Sequence, residues 1–244
     1  MNKLVIQDVG VNFTQKAIIE KINIELNKGE TVAIVGKSGV GKTTLFHVIA
    51  GLLNPNTGKV YLDGVDISGK SGVISYMLQK DLLFPFKKVI DNVTLPLVLH
   101  NISKQQAKKQ ADEYFAKFLL DGYQNKYPHQ LSGGMRQRAA FLRTILFQKE
   151  IILLDEPFSA LDFITRKEMQ QWYMKIVKEL QLSTLLITHD IEEAILLSDR
   201  VYVLAGSPAT IQKEVIIYEE YPRSESFLLQ ENFALYKKEI LDTI

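Results

Sequence analysis

Three short stretches of this chain hold residue types at spacings that suit chemistry on phosphates. The first is Gly36-Lys37-Ser38-Gly39-Val40-Gly41-Lys42-Thr43, followed by Thr44. Glycines let such a loop turn tightly enough for its N–H groups to converge on phosphate oxygens. Lys42, at the end of the loop, would reach the β- and γ-phosphates, and the Thr43 hydroxyl suits a Mg²⁺ ligand. An apolar run at 33–35 precedes the loop and a helical pattern begins at Thr43, so the phosphates would meet the positive end of a helix dipole. The second stretch, Ile151-Ile152-Leu153-Leu154-Asp155-Glu156, is an apolar strand that ends in two carboxylates. A buried strand delivers such residues to the carboxyl edge of a sheet, where open α/β folds bind ligands. There Asp155 suits the magnesium shell, and Glu156 suits orienting or deprotonating an attacking water.

The third stretch is Leu131-Ser132-Gly133-Gly134-Met135-Arg136-Gln137-Arg138. Ser132 can cap the helix that follows, and two glycines at the helix start expose N–H groups, which makes a second anion site. One nucleotide does not need two such loops from one chain. A dimer in which each chain's second loop closes on the partner's γ-phosphate is the economical arrangement.

The elements around these stretches alternate. Strands are predicted at 4–9, 17–26, 31–35, 59–62 and 73–77, with a helix at 43–53 stopped by Asn54-Pro55-Asn56. A mostly helical stretch over 80–149 holds helices at 104–120, capped by Ser103, and from Ser132 to about Phe147. Strands at 151–154 and 184–187, helices at 165–180 and 191–198, and a final apolar strand at 201–204 complete the pattern. Such alternation implies a mainly parallel sheet covered on both faces. After Pro222, Leu229, Phe233, Tyr236, Ile240 and Ile244 fall on one helical face, which is expected to pack on the domain. One domain over 1–244 is predicted: an α/β core from 1–79 and 150–221, the helical stretch 80–149, and a tail at 222–244.

The bulk numbers agree with a globular chain. It has 244 residues, 46% hydrophobic and 23% charged, with 29 basic against 28 acidic side chains and no cysteine. A net charge of +1 and the lack of a Lys/Arg stripe disfavour a nucleic-acid binder. Without cysteine there are no disulfides and no thiolate metal sites. The first ten residues lack the basic start and apolar run of a secretory signal, and no run approaches the ~18 apolar residues of a spanning helix.

With these motifs in hand, the chain resembles the ATP-binding cassette family, specifically the nucleotide-binding subunits of membrane transporters, over about residues 1–220. The stretch from Leu131 to Arg138 is nearly unique to that family. The resemblance implies an α/β phosphate-loop (RecA-like) core with an N-terminal antiparallel β subdomain and a helical subdomain that carries the signature. It places Phe13 where an aromatic stacks on adenine. Gln79 falls at the loop glutamine that contacts Mg²⁺ and the lytic water. Ser159-Ala160-Leu161-Asp162 matches a loop crossing the dimer interface, and His189, in Thr188-His189-Asp190, the switch histidine at the γ-phosphate. Each has a plainer reading: core packing for Phe13, ordinary polar residues for Gln79 and His189, and a helix-capping turn for 159–162. Leu78 stands where many relatives carry an aromatic or a valine-like residue, and 139–146 is unusual in detail; neither removes a chemical group.

What the resemblance implies is transport-coupled ATP hydrolysis with Mg²⁺, a homodimer on nucleotide binding, and a separate integral membrane permease at the cytoplasmic face. An extracytoplasmic solute-binding protein would complete the system. Wording such as Asp91-Asn92-Val93 and His189-Asp190-Ile191-Glu192-Glu193-Ala194 resembles the importers of nitrate, sulfonates, taurine and thiamine precursors. Core packing is the plain reading of the apolar stretch 81–86, but it falls where the family receives a permease helix, and Leu83 and Phe86 are the expected docking residues on that reading. Other classes fit less well. A GTPase would need a guanine-reading Asn-Lys-x-Asp, and none of the Asn-Lys pairs, at Asn2, Asn27 and Asn125, continues so. A small-molecule kinase has no use for Ser132-Gly133-Gly134. Cassette ATPases of repair or translation carry a long coiled coil or two cassettes, and a degenerate cassette would lack Glu156.

Overall fold

The computed structural model describes residues 2–14 and 16–244. Its first part is β-rich: β1 (Asn2–Phe13), β2 (Lys16–Asn27), β3 (Thr31–Val35), α1 (Lys42–Ile49), β4 (Thr57–Leu62), β5 (Val65–Asp66) and β6 (Ser75–Met77). Only helices and turns separate β6 from the next strand: α2 (Val89–Val93), α3 (Leu95–Leu99), α4 (Lys104–Phe115) and α5 (Gly133–Ile145). Then come β7 (Ile151–Asp155), α6 (Phe163–Glu179), β8 (Ser183–Thr188), α7 (Ile191–Leu197), β9 (Arg200–Gly206), β10 (Ala209–Ile216) and α8 (Glu231–Leu241).

The described strands form one mixed sheet in the order β5-β4-β1-β2-β10-β9-β3-β8-β7-β6. Its centre is parallel, with β3 between β8 and β9 and β7 between β8 and β6. β1, β2, β4 and β5 form an antiparallel group at the other end. β3, β7 and β8 are buried along their whole length, as strands covered on both faces must be. Because side chains alternate across a strand, these strands feed two cores. Ala33, Val35, Ile152, Leu154 and Leu186 face the helical inset, α6 and α7. Val32, Ile34, Ile151, Leu153, Leu185 and Ile187 face α1 and the antiparallel group.

The observed elements differ from the sequence reading in places with local causes. α1 ends at Ile49 rather than 53, because Gly51 takes φ +70° and the Leu52 and Leu53 N–H groups turn back onto His47 O. α4 ends at Phe115 rather than 120, and Leu119 at φ 52° closes the turn that follows. The expected last strand has a successor, β10, whose mixed burial hides it from a search for apolar runs. The two short helices α2 and α3 also lack a helical period long enough to read.

The tail packs on the domain through four of its five expected residues and not through Leu229. Phe233 and Ile240 on α8 are buried in the core facing the inset, with Tyr236 and Ile244 against it, while Leu229 is 90% exposed before the helix starts. Ahead of α8, the buried Arg223 guanidinium donates to Ser198 O (2.7 Å) and Ile195 O (3.1 Å), capping the carbonyl end of α7 with positive charge.

Candidate active site

The loop 36–41 runs from the carboxyl end of β3 to the amino end of α1, and packing dictates its glycines. A Cβ at Gly36 would run into the Leu204 carbonyl oxygen on β9, and Gly41 adopts φ +121° with Ile19 Cγ2 2.6 Å from where a Cβ would be. The Lys42 ammonium lies under the loop, donating to Gly36 O at 2.6 Å and Lys37 O at 3.1 Å. Burial pushes its pKa down, and the carboxylates of Glu156 and Asp155 oppose that shift. A cleft of 310 Å³ opens beside it, lined by Phe13, Ile18, Ser38, Gly39, Gly41, Lys42, Thr43, Thr44 and Glu156. Phe13, half exposed at the end of β1, forms its apolar side. Lys37, Ser38, Gly39 and Val40 also line the adjoining hollow beside β2 and β9, while Gly36 is buried beneath.

β7 ends on Asp155, which is buried. Its Oδ2 accepts a hydrogen bond from the Tyr76 hydroxyl at 3.0 Å. Burial raises the Asp155 pKa, and Glu156 adds to that, while the Tyr76 bond and the charges of His47 and Lys42 oppose it. Burial and the same carboxylate push the Tyr76 phenol up, so Tyr76 donates. Glu156 follows in the left-handed region, at φ 44°, with its N–H tied to Ile187 O on β8 (2.9 Å). That conformation is costly for a side chain other than glycine, and it is held here by the neighbouring strand.

Glu156 is where the expected catalytic groups meet. Gln79 Nε2 donates to its Oε2 at 3.1 Å, and His189 Nδ1 lies 3.1 Å from its Oε1. Ser159 Oγ donates to its backbone carbonyl (3.0 Å) and lies 3.4 Å from Gln79 Nε2. Three strand ends, those of β6, β7 and β8, therefore supply one cluster, beside the loop that leaves β3.

The remaining expected residues sit elsewhere. Ser132, Gly133 and Gly134 do not line the cleft. Ser132 caps α5 by accepting from Met135 N (3.3 Å). Gly134 is buried against α6, where a Cβ would come within 2.9 Å of Thr165 Cγ2. In the loop 159–162, Asp162 caps α6 by accepting from Thr165 N (3.1 Å), Leu161 is buried, and Ala160 is exposed.

The sequence reading missed two residues of this neighbourhood. Tyr76 is one of ten tyrosines, and only its place opposite β7 marks it. Glu193 is the third residue of a helix capped by Asp190, a position from which Glu usually reaches back to the cap N–H. Here Asp190 N bonds to Thr188 Oγ1 instead. The expectation for 81–86 also needs correction. Leu83 is 7% exposed and belongs to the core, because its N–H bonds to Asp81 Oδ1 (3.1 Å) in a tight turn that aims the side chain inward. The Asn92 side chain grips Phe84 N and O, and Arg143 grips Asp81 O and Leu82 O, so Leu82, Phe84 and Phe86 remain as the exposed apolar edge.

The sheet, the loop at its carboxyl edge and the convergent polar groups define a phosphate-loop nucleotide hydrolase. Residues 19–159 match the ABC transporter family model. A Methanocaldococcus jannaschii ABC transporter ATP-binding protein is 39% identical over 93% of this chain and 84% of its own length. The formylaminopyrimidine import ATP-binding protein of Halalkalibacterium halodurans is 43% identical over 78% and 74%, and the nitrate import ATP-binding protein of Synechocystis 38% over 90% and 84%. Among solved structures, a dimeric ATP-binding cassette bound to ADP and phosphate superposes with a TM-score of 0.76 at 27% identity, covering 89% of this chain and all of that one. An ABC transporter component from Clostridium perfringens, at TM-score 0.81 and 23% identity over 98% and 95%, shares the fold. This chain belongs to the ABC transporter family and is one of its ATP-hydrolysing subunits.

Proposed function

We propose that two copies of this chain hydrolyse Mg-ATP to drive import of a small solute through a separate permease. The observation that carries it is the meeting of Gln79 and His189 on Glu156 beside the phosphate loop, with the signature helix start outside that cleft. Phe13 stacks on adenine, and Gly36 to Thr44 hold the phosphates through backbone N–H groups and Lys42. Glu156 takes the proton of the attacking water, whose oxygen bonds to the γ-phosphorus as the bond to the β-phosphate oxygen breaks. Gln79 orients that water. His189 shares Nδ1 with Glu156, which leaves Nε2 for a γ-phosphate oxygen.

Thr43, Gln79 and Asp155 fit magnesium. All three offer hard oxygen donors, and Asp155 is a buried carboxylate with one hydroxyl partner. Bound there, magnesium neutralises phosphate charge.

The Ser132-Gly133-Gly134 helix start completes the partner's site, with the loop 159–162 at the interface. The inset 80–149 presents the permease-facing edge, and the tail 222–244 packs on the α/β core. No described helix is long and apolar enough to cross a membrane. In this reading a separate permease supplies the path and the chain works at its cytoplasmic face. Relatives named for import of nitrate, aliphatic sulfonates and formylaminopyrimidine support the direction; a solute-binding protein outside the membrane would complete the system.

The test mixes two inactive variants. S132R should bind ATP without hydrolysing it, and K42A should fail in ATP binding. Mixed, they pair one intact loop with one intact signature and should regain ATP-dependent dimerisation. A mixture that stays monomeric at every ratio, while wild type dimerises, counts against composite sites.

A further inference from the structure

We propose that Glu193 is a positioning residue for hydrolysis: through the Thr188 hydroxyl it fixes the turn that carries His189 against Glu156. This rests on the role proposed for His189 in hydrolysis.

The geometry is a chain of short contacts. Thr188 ends β8, and its hydroxyl does two jobs: it accepts from Asp190 N at 3.0 Å and donates to Glu193 Oε2 at 3.1 Å. The residue between Thr188 and Asp190 is His189, so both flanks of the histidine hang on one hydroxyl whose direction Glu193 sets. A threonine hydroxyl with both its proton and a lone pair committed cannot rotate, and the turn cannot swing without breaking one bond. Asp190 anchors the other side by capping α7, accepting from the N–H groups of Glu192 (2.9 Å) and Glu193 (3.2 Å).

Glu193 is an unusual choice for a mere strut. It is 5% exposed, and its Oε1 is buried with no partner among the described residues. Negative groups face it: Asp190 and Glu192 on its own element, and Glu156 beyond β7. Among the described residues Arg166 on α6 is the cation that acts on Glu193 itself, with Lys167 on the rim of the 70 Å³ cavity between α6 and α7, while Lys237 on α8 pairs with Glu192 at 2.6 Å. Arg166 Nη2 is committed to Leu161 O at 3.0 Å, and its Nε is itself buried and unpaired. The phenol of Tyr173, also on α6, bonds to Thr184 Oγ1 rather than to Glu193. No described element around Glu193 therefore offers its carboxylate a second strong partner. Burial, with Asp190 adding to it, pushes its pKa up to about 8. At neutral pH it is mostly a neutral acid, which costs far less to bury than an anion. Its partner bond from Thr188 survives in that form. Above about pH 8 a new negative charge appears behind the histidine turn, near Asp190 and Glu156, and its repulsion from those two carboxylates works against the setting of the turn.

Four variants test this: E193Q, E193A, T188V and the E193A/T188V pair. ATPase kcat and KM, ATP binding, thermal melting and the pH profile are measured for each, with H189A alongside. E193A should lower kcat by about 10–100-fold with KM and ATP affinity near native, since the phosphate loop is untouched. E193Q, a neutral isostere, should keep kcat within about threefold and lack the decline expected of wild type above about pH 8. The pair should be no slower than T188V alone, because both act through one hydroxyl. If E193A does not fold, the E193Q profile decides. Native kcat in E193A, an alkaline limb unchanged in E193Q, or additive losses in the pair would overturn the inference. Native turnover in H189A would instead overturn the role of His189, and the two failures are told apart by which variant is silent.

Discussion

Glu156 gathers three other side chains because its backbone is bent against its own preference. The left-handed turn after β7 lifts the carboxylate off the strand line, toward both Gln79 and His189. E156Q keeps size and hydrogen bonding but cannot take a proton. Single-turnover assays should show hydrolysis falling by about 10²–10⁴ with ATP binding kept, and ATP should then hold the dimer closed. Turnover near the native rate would remove Glu156 as the base. Glu193 gives a second prediction at this scale. Its pKa is about 8 when folded against an ordinary 4.5, so the native state holds a proton that the unfolded chain releases. Between those values stability must fall as pH rises, and the loss is complete above about 8. E193Q has no such proton. Its melting temperature should gain on wild type steadily from about pH 5 to about pH 8 and then keep a constant lead. A lead that shrinks with pH would mean that Glu193 is buried as an anion.

At the scale of elements, α5 shows how a signature can be both chemistry and packing. Gly134 lies where the helix crosses α6, and any side chain there meets Thr165 and Met169. G134V should therefore cost about 1–3 kcal/mol in a denaturant melt, whatever it does to hydrolysis. A variant as stable as wild type would mean that α5 can slide on α6. This is also the scale at which the sequence was most and least legible. β3, β7 and β8 announced themselves because an apolar run between turn residues fits a buried strand and little else. The phosphate loop stood between a strand and a helix that could be read independently. β10 did not announce itself, because its residues alternate between cover and solvent without an apolar run. Tyr76 and Glu193 stayed silent for another reason. The partner of Tyr76, Asp155, lies at the end of the neighbouring strand, which no spacing along the chain encodes, and Glu193, at a local capping position, takes Thr188 as its partner in place of the usual cap N–H. Leu83 was misread because an Asx-type turn at Asp81 reversed the direction of its side chain.

For the whole molecule, the exposed edge formed by Leu82, Phe84 and Phe86 separates two kinds of damage. F86E, at a side chain 73% exposed, should leave ATP hydrolysis by the isolated chain near native and abolish transport when the permease is present. L83D should instead unfold the protein, since a carboxylate in that core costs more than about 3 kcal/mol. Membrane fractionation with and without the permease measures the first, and circular dichroism the second. An F86E chain that still supports transport would move the docking surface elsewhere. The sheet sets a different limit on the molecule. Because β3, β7 and β8 send alternate side chains into both cores, neither core can open while the other stays closed. Amide hydrogens of those strands should exchange with deuterium last, together, and at a rate set by global unfolding, while β5 and β10 exchange early and independently. The nucleotide loop is rooted in the strands expected to exchange most slowly, so closing and reopening of the cleft would not require its floor to be exposed to solvent.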